Sequence, residues 1–200
     1  VSIKFLDSQT LVSYELYKQK LENQIHDYKY RLYNYPLNQM NGKQSSIPAF
    51  LINMHKITSI KDAEDYIARL NGIYPLFKQL FENIREREKI GIIPPTFILD
   101  HVLNDAENVI TGFPFLGKDT CALYLDFYKK LKKLETSNLE KNRLLQFAEQ
   151  ALEKSVKPAY EQLILITNNQ KNNYDEKDGV WRWNNGNLFY ENALNRTTTT

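Results

Sequence analysis

The stretch SIKDAEDYIARLNGIYPLFKQLFENIREREKIG, residues 59–91, decides the fold class. Ser59 offers a side-chain oxygen to the free amides of a helix start. Asp62, Glu64 and Asp65 crowd the first turns, where negative charge complements the helix dipole. Ala63, Ile67 and Leu70 recur at helical spacing and predict a buried face. Asn71 and Gly72 tolerate left-handed backbone and read as the end of that helix. Pro75 suits the first turn of the next, whose stripe is Leu76, Phe77, Leu80, Phe81 and Ile84, before Gly91 stops it. Two amphipathic helices in succession, with no strand alternation, predict an all-α chain.

The flanks extend the pattern. Upstream, Leu11, Tyr14, Tyr17, Leu21, Ile25, Tyr28 and Leu32 mark one stripe of a long helix capped by Asp7 or Ser8. Pro36, Gly42 and Pro48 interrupt regular helix over Tyr35-Pro36-Leu37-Asn38-Gln39-Met40-Asn41-Gly42, and a short helix follows from Ile47 to His55. Downstream, Pro94-Pro95-Thr96 starts a helix facing inward through Ile98 and Val102. Thr111 to Gly117 reads as a loop rich in apolar anchors. Leu123, Phe127, Leu131 and Leu134 mark a further helix, and a long helical stretch from Asn138 to Thr167 should kink or break at Pro158. Lys171 to Asp178 is a polar linker, Val180 to Trp183 reads as extended, Asn184-Asn185-Gly186 as a turn, and Leu188 to Leu194 as helix. The fold expectation is an all-α bundle of mostly antiparallel helices with at most one short hairpin, near Val180 to Trp183.

Composition bounds the function. Apolar residues at 42% and a net charge of only +2 describe a globular chain without the basic excess of a dedicated nucleic-acid binder. No apolar run approaches the roughly 20 residues that cross a bilayer. The lone Cys121 cannot pair internally and reads as a small core-facing thiol. His26, His55 and His101 lie in separate predicted elements, with no second His or Cys one helical turn away, so no zinc site is expected among them. No nucleophile elbow and no glycine-rich phosphate loop occurs. Glu149 and Glu153, and the cluster Lys129, Lys130, Lys132 and Lys133, read as solvated helix faces. The residues themselves thus give a helical domain without a catalytic centre. Tyr28, Tyr30, Tyr33 and Tyr35 suit either a cleft wall or a helix seam.

An ordered series of short motifs resembles a known bacterial family. These are Tyr35 to Gly42 followed by Ile47-Pro48-Ala49-Phe50-Leu51, then Asp62 to Leu70, Gly91-Ile92-Ile93-Pro94-Pro95, Val156-Lys157-Pro158-Ala159-Tyr160 and Gly179-Val180-Trp181. The series ends on Asn185-Gly186, Phe189-Tyr190 and Arg196-Thr197-Thr198-Thr199. Together they resemble the family catalogued as domain of unknown function 885, all-helical and similar to zinc metallopeptidases of the gluzincin kind. In that family the metal site is expected on a later helix with a His-Glu motif, and no such motif occurs here. The resemblance therefore implies an N-terminal helical portion, inactive alone, with zinc only in the parent protein.

On that basis residues 1–200 form a single helical domain or the N-terminal part of a larger metallopeptidase-like domain. Residues 171–200 serve as linker, turn and terminal docking segment. Val1 in place of methionine and the closing Thr197 to Thr200 suggest a piece of a longer polypeptide. The expected partners are the downstream catalytic half and a peptide substrate, with no nucleic acid and no membrane span. A periplasmic or envelope location follows by resemblance. Asn38, Gln39, Trp181, Tyr190 and Arg196 are the candidates for substrate contact, because they combine aromatics, amides and a cation in non-repetitive sequence. The alternative function is a non-catalytic helical module that binds a peptide or partner helix.

Overall fold

The computed structural model describes residues 3–174 and 178–198; part of the polar linker and the last two threonines lie outside them. The helices are α1 (Ser8–Asp27), α2 (Lys43–Met54), α3 (Ile60–Lys89), α4 (Thr96–Val109), α5 (Ala122–Lys132), α6 (Asn138–Ala151), α7 (Lys157–Asn172) and α8 (Gly186–Thr198). The chain is an all-α bundle. Two short strands, β1 (Thr111–Phe113) and β2 (Leu116–Thr120), pair in parallel where the sequence had suggested an anchored loop. The expected extended piece near Val180 is instead a 3-10 turn, Val180–Arg182, which cannot pair as a strand.

The chain divides into two compact units. The larger, residues 35–178, is organised on α3, whose inner face carries Ala63, Tyr66, Leu70, Ile73, Phe77, Phe81 and Ile84, all buried. Phe77 meets Tyr160 of α7 and Tyr66 meets Phe127 of α5, at ring-centroid separations of 5.0 and 5.1 Å. The smaller unit, residues 1–34 with 179–200, holds α1 and α8. α1 starts on Asp7, which accepts from Thr10 N–H at 2.9 Å, yet buries none of its residues.

The boundary expected at Asn71-Gly72 does not exist: α3 runs unbroken through Gly72 and Pro75, and α2 likewise begins at Lys43 rather than at Ile47 and runs through Pro48. A proline inside a helix donates no N–H and strands the carbonyl four residues earlier. Pro48 strands the Gln44 carbonyl, and Tyr160 Oη donates to it at 2.6 Å. Pro75 strands the Asn71 carbonyl, and Ser155 Oγ donates to it at 2.9 Å while accepting from Tyr74 N–H at 3.1 Å. Both hydroxyls come from the last long helical stretch, whose α pattern widens into a π turn over Leu152–Val156 just before Pro158. That turn is closed by Lys157 N–H on the Leu152 carbonyl and carries Ser155, buried, against α3. The break expected at Pro158 is therefore a change of helical winding.

Candidate binding groove

The loop before α2 is built by its own side chains. Asn38 Oδ1 accepts from Met40 N–H at 2.9 Å and Asn41 N–H at 2.8 Å, and its amide donates to the Tyr35 carbonyl at 2.9 Å. This Asx geometry turns the chain into Gly42, which precedes α2. Gln44, fully buried, then donates to the Asn38 carbonyl at 2.6 Å and to Asp105 of α4 at 3.1 Å. Gly42 is required by close approach: a Cβ there would lie 2.4 Å from the Asn38 carbonyl oxygen. At the other end of α2, Lys130 of α5 donates to the carbonyls of Leu51 and Ile52 at 3.0 and 2.8 Å and pairs with Asp126 at 2.7 Å. α2 is thus held by side chains at both ends.

What this fixed helix presents is a groove shared with α3, about 750 Å³ in volume. Lys43, Ile47 and Phe50 line it from α2; Arg69, Gly72 and Leu76 line it from α3. On each helix the lining follows three-and-four spacing, so each contributes one continuous stripe. Phe50 is 50% exposed and Leu76 46%, an apolar surface open to solvent. The Arg69 guanidinium lies over the Phe50 ring, 5.4 Å from its centre, and donates to His55 Nδ1 at 2.8 Å. Because a guanidinium only donates, His55 carries its proton on Nε2, which gives it to the Asp62 carbonyl at 2.9 Å. His55 thereby anchors Arg69 at the rim.

Asn38 and the exposed Gln39 sit in the larger unit, next to the start of α2. Trp181, Tyr190 and Arg196 belong to the smaller unit. There Trp181 and Tyr190 are exposed, whereas Arg196 pairs with Asp27 at 3.2 Å. Hydrogen bonds from Arg196 and Asn192 hold the Asp27 carboxyl below its usual range. Trp183, buried, packs with Phe189 and Tyr33, and the Tyr33 hydroxyl donates to the Asn184 carbonyl at 2.5 Å. Phe50, Arg69, Gly72 and Leu76, all lining the groove, were absent from the sequence-based candidates. Their signal was present as paired stripes, but only the fold shows that the two stripes face one opening.

Among the described residues no three histidine, cysteine or carboxylate groups gather as a cation would need. His26 and His101 are exposed on α1 and α4, and both nitrogens of His55 are engaged. The residues present do not fit a zinc shell. Cys121 caps α5, accepting from Tyr124 N–H at 3.4 Å, and burial pushes its thiol up. No described helix is long and apolar enough to cross a membrane.

Comparison with known proteins gives a family and a fold. The profile of the family described as "Bacterial protein of unknown function (DUF885)" matches residues 3–200. No curated protein matches the sequence. The fold is similar to the crystal structure of a protein from Colwellia psychrerythraea described as a candidate lipoprotein, with a TM-score of 0.75 and 21% identity. The match covers 83% of this chain but 28% of that one, so the matched part spans little more than a quarter of that protein's length.

Proposed function

The chain belongs to that bacterial family of unknown function, and from this premise we propose that it is the N-terminal helical portion of a zinc-dependent, peptidase-like hydrolase. In this reading it supplies one wall of a substrate cleft and is inactive alone. The observation that carries the reading is the α2–α3 groove, a rigidly mounted apolar opening lined by two cations, with no cluster of metal-holding side chains among the described residues. Such a surface can orient a substrate but cannot activate water, which needs a metal or a positioned base supplied from elsewhere. The family's resemblance to gluzincin metallopeptidases supports hydrolysis as the parent activity, with zinc held by residues outside this chain. Asn38 and Gln39 in the larger unit, and Trp181, Tyr190 and Arg196 in the smaller, each by its own unit, are proposed as substrate contacts. A periplasmic or cell-envelope setting is supported by the resemblance and by the neighbour's description.

The same groove also favours a second reading, a non-catalytic module that takes a peptide or a partner helix. Metal analysis and a peptidase assay on the full-length gene product separate the two. The first reading expects one zinc per chain and peptide hydrolysis in the full-length protein, with neither in the 200-residue chain. A full-length protein that hydrolyses no peptide, with or without added zinc, overturns it and leaves the second.

A further inference from the structure

Gly72 sits in the interior of α3 without a local reason to be glycine. A Cβ built there meets nothing within 4 Å, so packing does not exclude a side chain. Glycine inside a helix is destabilising relative to alanine, because its backbone loses more freedom on folding. The position it keeps bare is the floor of the α2–α3 groove, between Arg69 one turn earlier and Leu76 one turn later. Pro75, in the next turn, likewise keeps α3 only with help from Ser155. These local losses fall beside the same opening.

The charge around the opening has one sign. Lys43 and Arg69 line it and no carboxylate does. Neither cation is paired with an acidic side chain among the described ion pairs, and Arg69 keeps donors beyond the one given to His55. The lined length, nine residues of α2 and eight of α3, is roughly 10–12 Å. That matches about three residues of extended peptide at 3.3 Å each, and is too short to seat a long helix. The apolar middle, formed by Ile47, Phe50 and Leu76, accepts one large side chain.

We propose that the α2–α3 groove is a subsite for a short extended peptide carrying one aromatic or branched aliphatic side chain flanked by carboxylates. The apolar side chain lies over Gly72 between Phe50 and Leu76, and the flanking carboxylates face Lys43 and Arg69. This deepens the cleft-wall reading by naming the peptide chemistry, but the binding itself does not depend on zinc or on hydrolysis.

The test is titration of the 200-residue chain with acetyl-Glu-Phe-Glu-amide and with acetyl-Lys-Phe-Lys-amide, followed by calorimetry and by amide chemical shifts of α2 and α3. The acidic probe is expected to bind at least fivefold more tightly than the basic one, and the preference should shrink as salt is raised. Gly72→Leu should weaken the acidic probe at least tenfold by filling the floor. Lys43→Glu should remove the preference between the probes. Gly72→Ala should raise the melting temperature by about 1–4 °C, showing that the position tolerates a side chain in the free protein. Equal binding of both probes, unchanged binding by Gly72→Leu, or sedimentation showing a second copy seated in the groove would overturn the inference. If the full-length protein proves not to hydrolyse peptides while the acidic probe still binds here, the cleft reading fails and the groove assignment stands. If it hydrolyses peptides while the acidic probe does not bind here, the groove assignment alone fails.

Discussion

At the scale of single residues, one hydroxyl and one carboxylate carry weight out of proportion to their size. Tyr160 is buried to the point that its hydroxyl is pushed well above its ordinary range, mainly by desolvation and then by Asp105. It remains a donor at any accessible pH and stays on the Gln44 carbonyl. Tyr160→Phe leaves that carbonyl buried and unpaired, and should cost about 1–3 kcal/mol in denaturant unfolding with the helical signal of the folded state unchanged. Asp62 works at the surface. Its carboxylate accepts from Thr58 and Ser59 in a capping box, which lowers its pKa from 3.8 to about 2. A folded-state pKa below the unfolded one adds stability above about pH 4 and loses it as pH falls toward 2. The melting temperature should therefore drop across that window, and Asp62→Asn should flatten this part of the profile.

At the scale of elements, α3 shows what the sequence discloses and what it withholds. Ser59 as cap, the acidic first turn and the stop near Gly91 were all readable, because each depends on neighbours within a turn. The false boundary at Asn71-Gly72 and Pro75 was a correct reading of local preference. What overrules it is Ser155, 84 residues beyond Asn71. One sign of continuity was available: Leu70, Ile73 and Phe77 keep the stripe in phase straight across the glycine and the proline. The groove was illegible for a related reason, since paired stripes on α2 and α3 gain meaning only when α4, α5 and α7 position α2. The Asn38 motif stood out as non-repetitive, and its three side-chain bonds all go to its own loop. The proline repair can be isolated. Ser155→Ala should cost about 2–3 kcal/mol, and Pro75→Ala in that background should restore at least about 1 kcal/mol, because an alanine N–H can reach the Asn71 carbonyl itself. A double-mutant cycle showing additive losses would mean that the hydroxyl and the proline are not coupled.

At the scale of the whole molecule, the two units differ in how well their apolar surface is covered. The larger has a continuous buried core, whereas α1 leaves Tyr17, Leu21 and Ile25 outward along one stripe, Ile25 at 76% exposure. Under the proposed reading the rest of the parent covers this face. The isolated chain should then bind an apolar dye such as anilinonaphthalene sulfonate, Ile25→Glu should reduce that signal, and the full-length protein should show little of it. The hydroxyl bridge to α3 also has a consequence in time. A ribosome adding about 5–20 residues per second needs roughly 4–17 s to travel from Asn71 to Ser155. Over that interval the two halves of α3 already exist, but the donor that joins them has not been made, so the growing chain keeps a hinge that the finished protein has lost. Protease cutting between Gly72 and Tyr74 in nascent chains stalled at about 150 residues, and its disappearance once the π turn has emerged, would time the moment at which two helices become one.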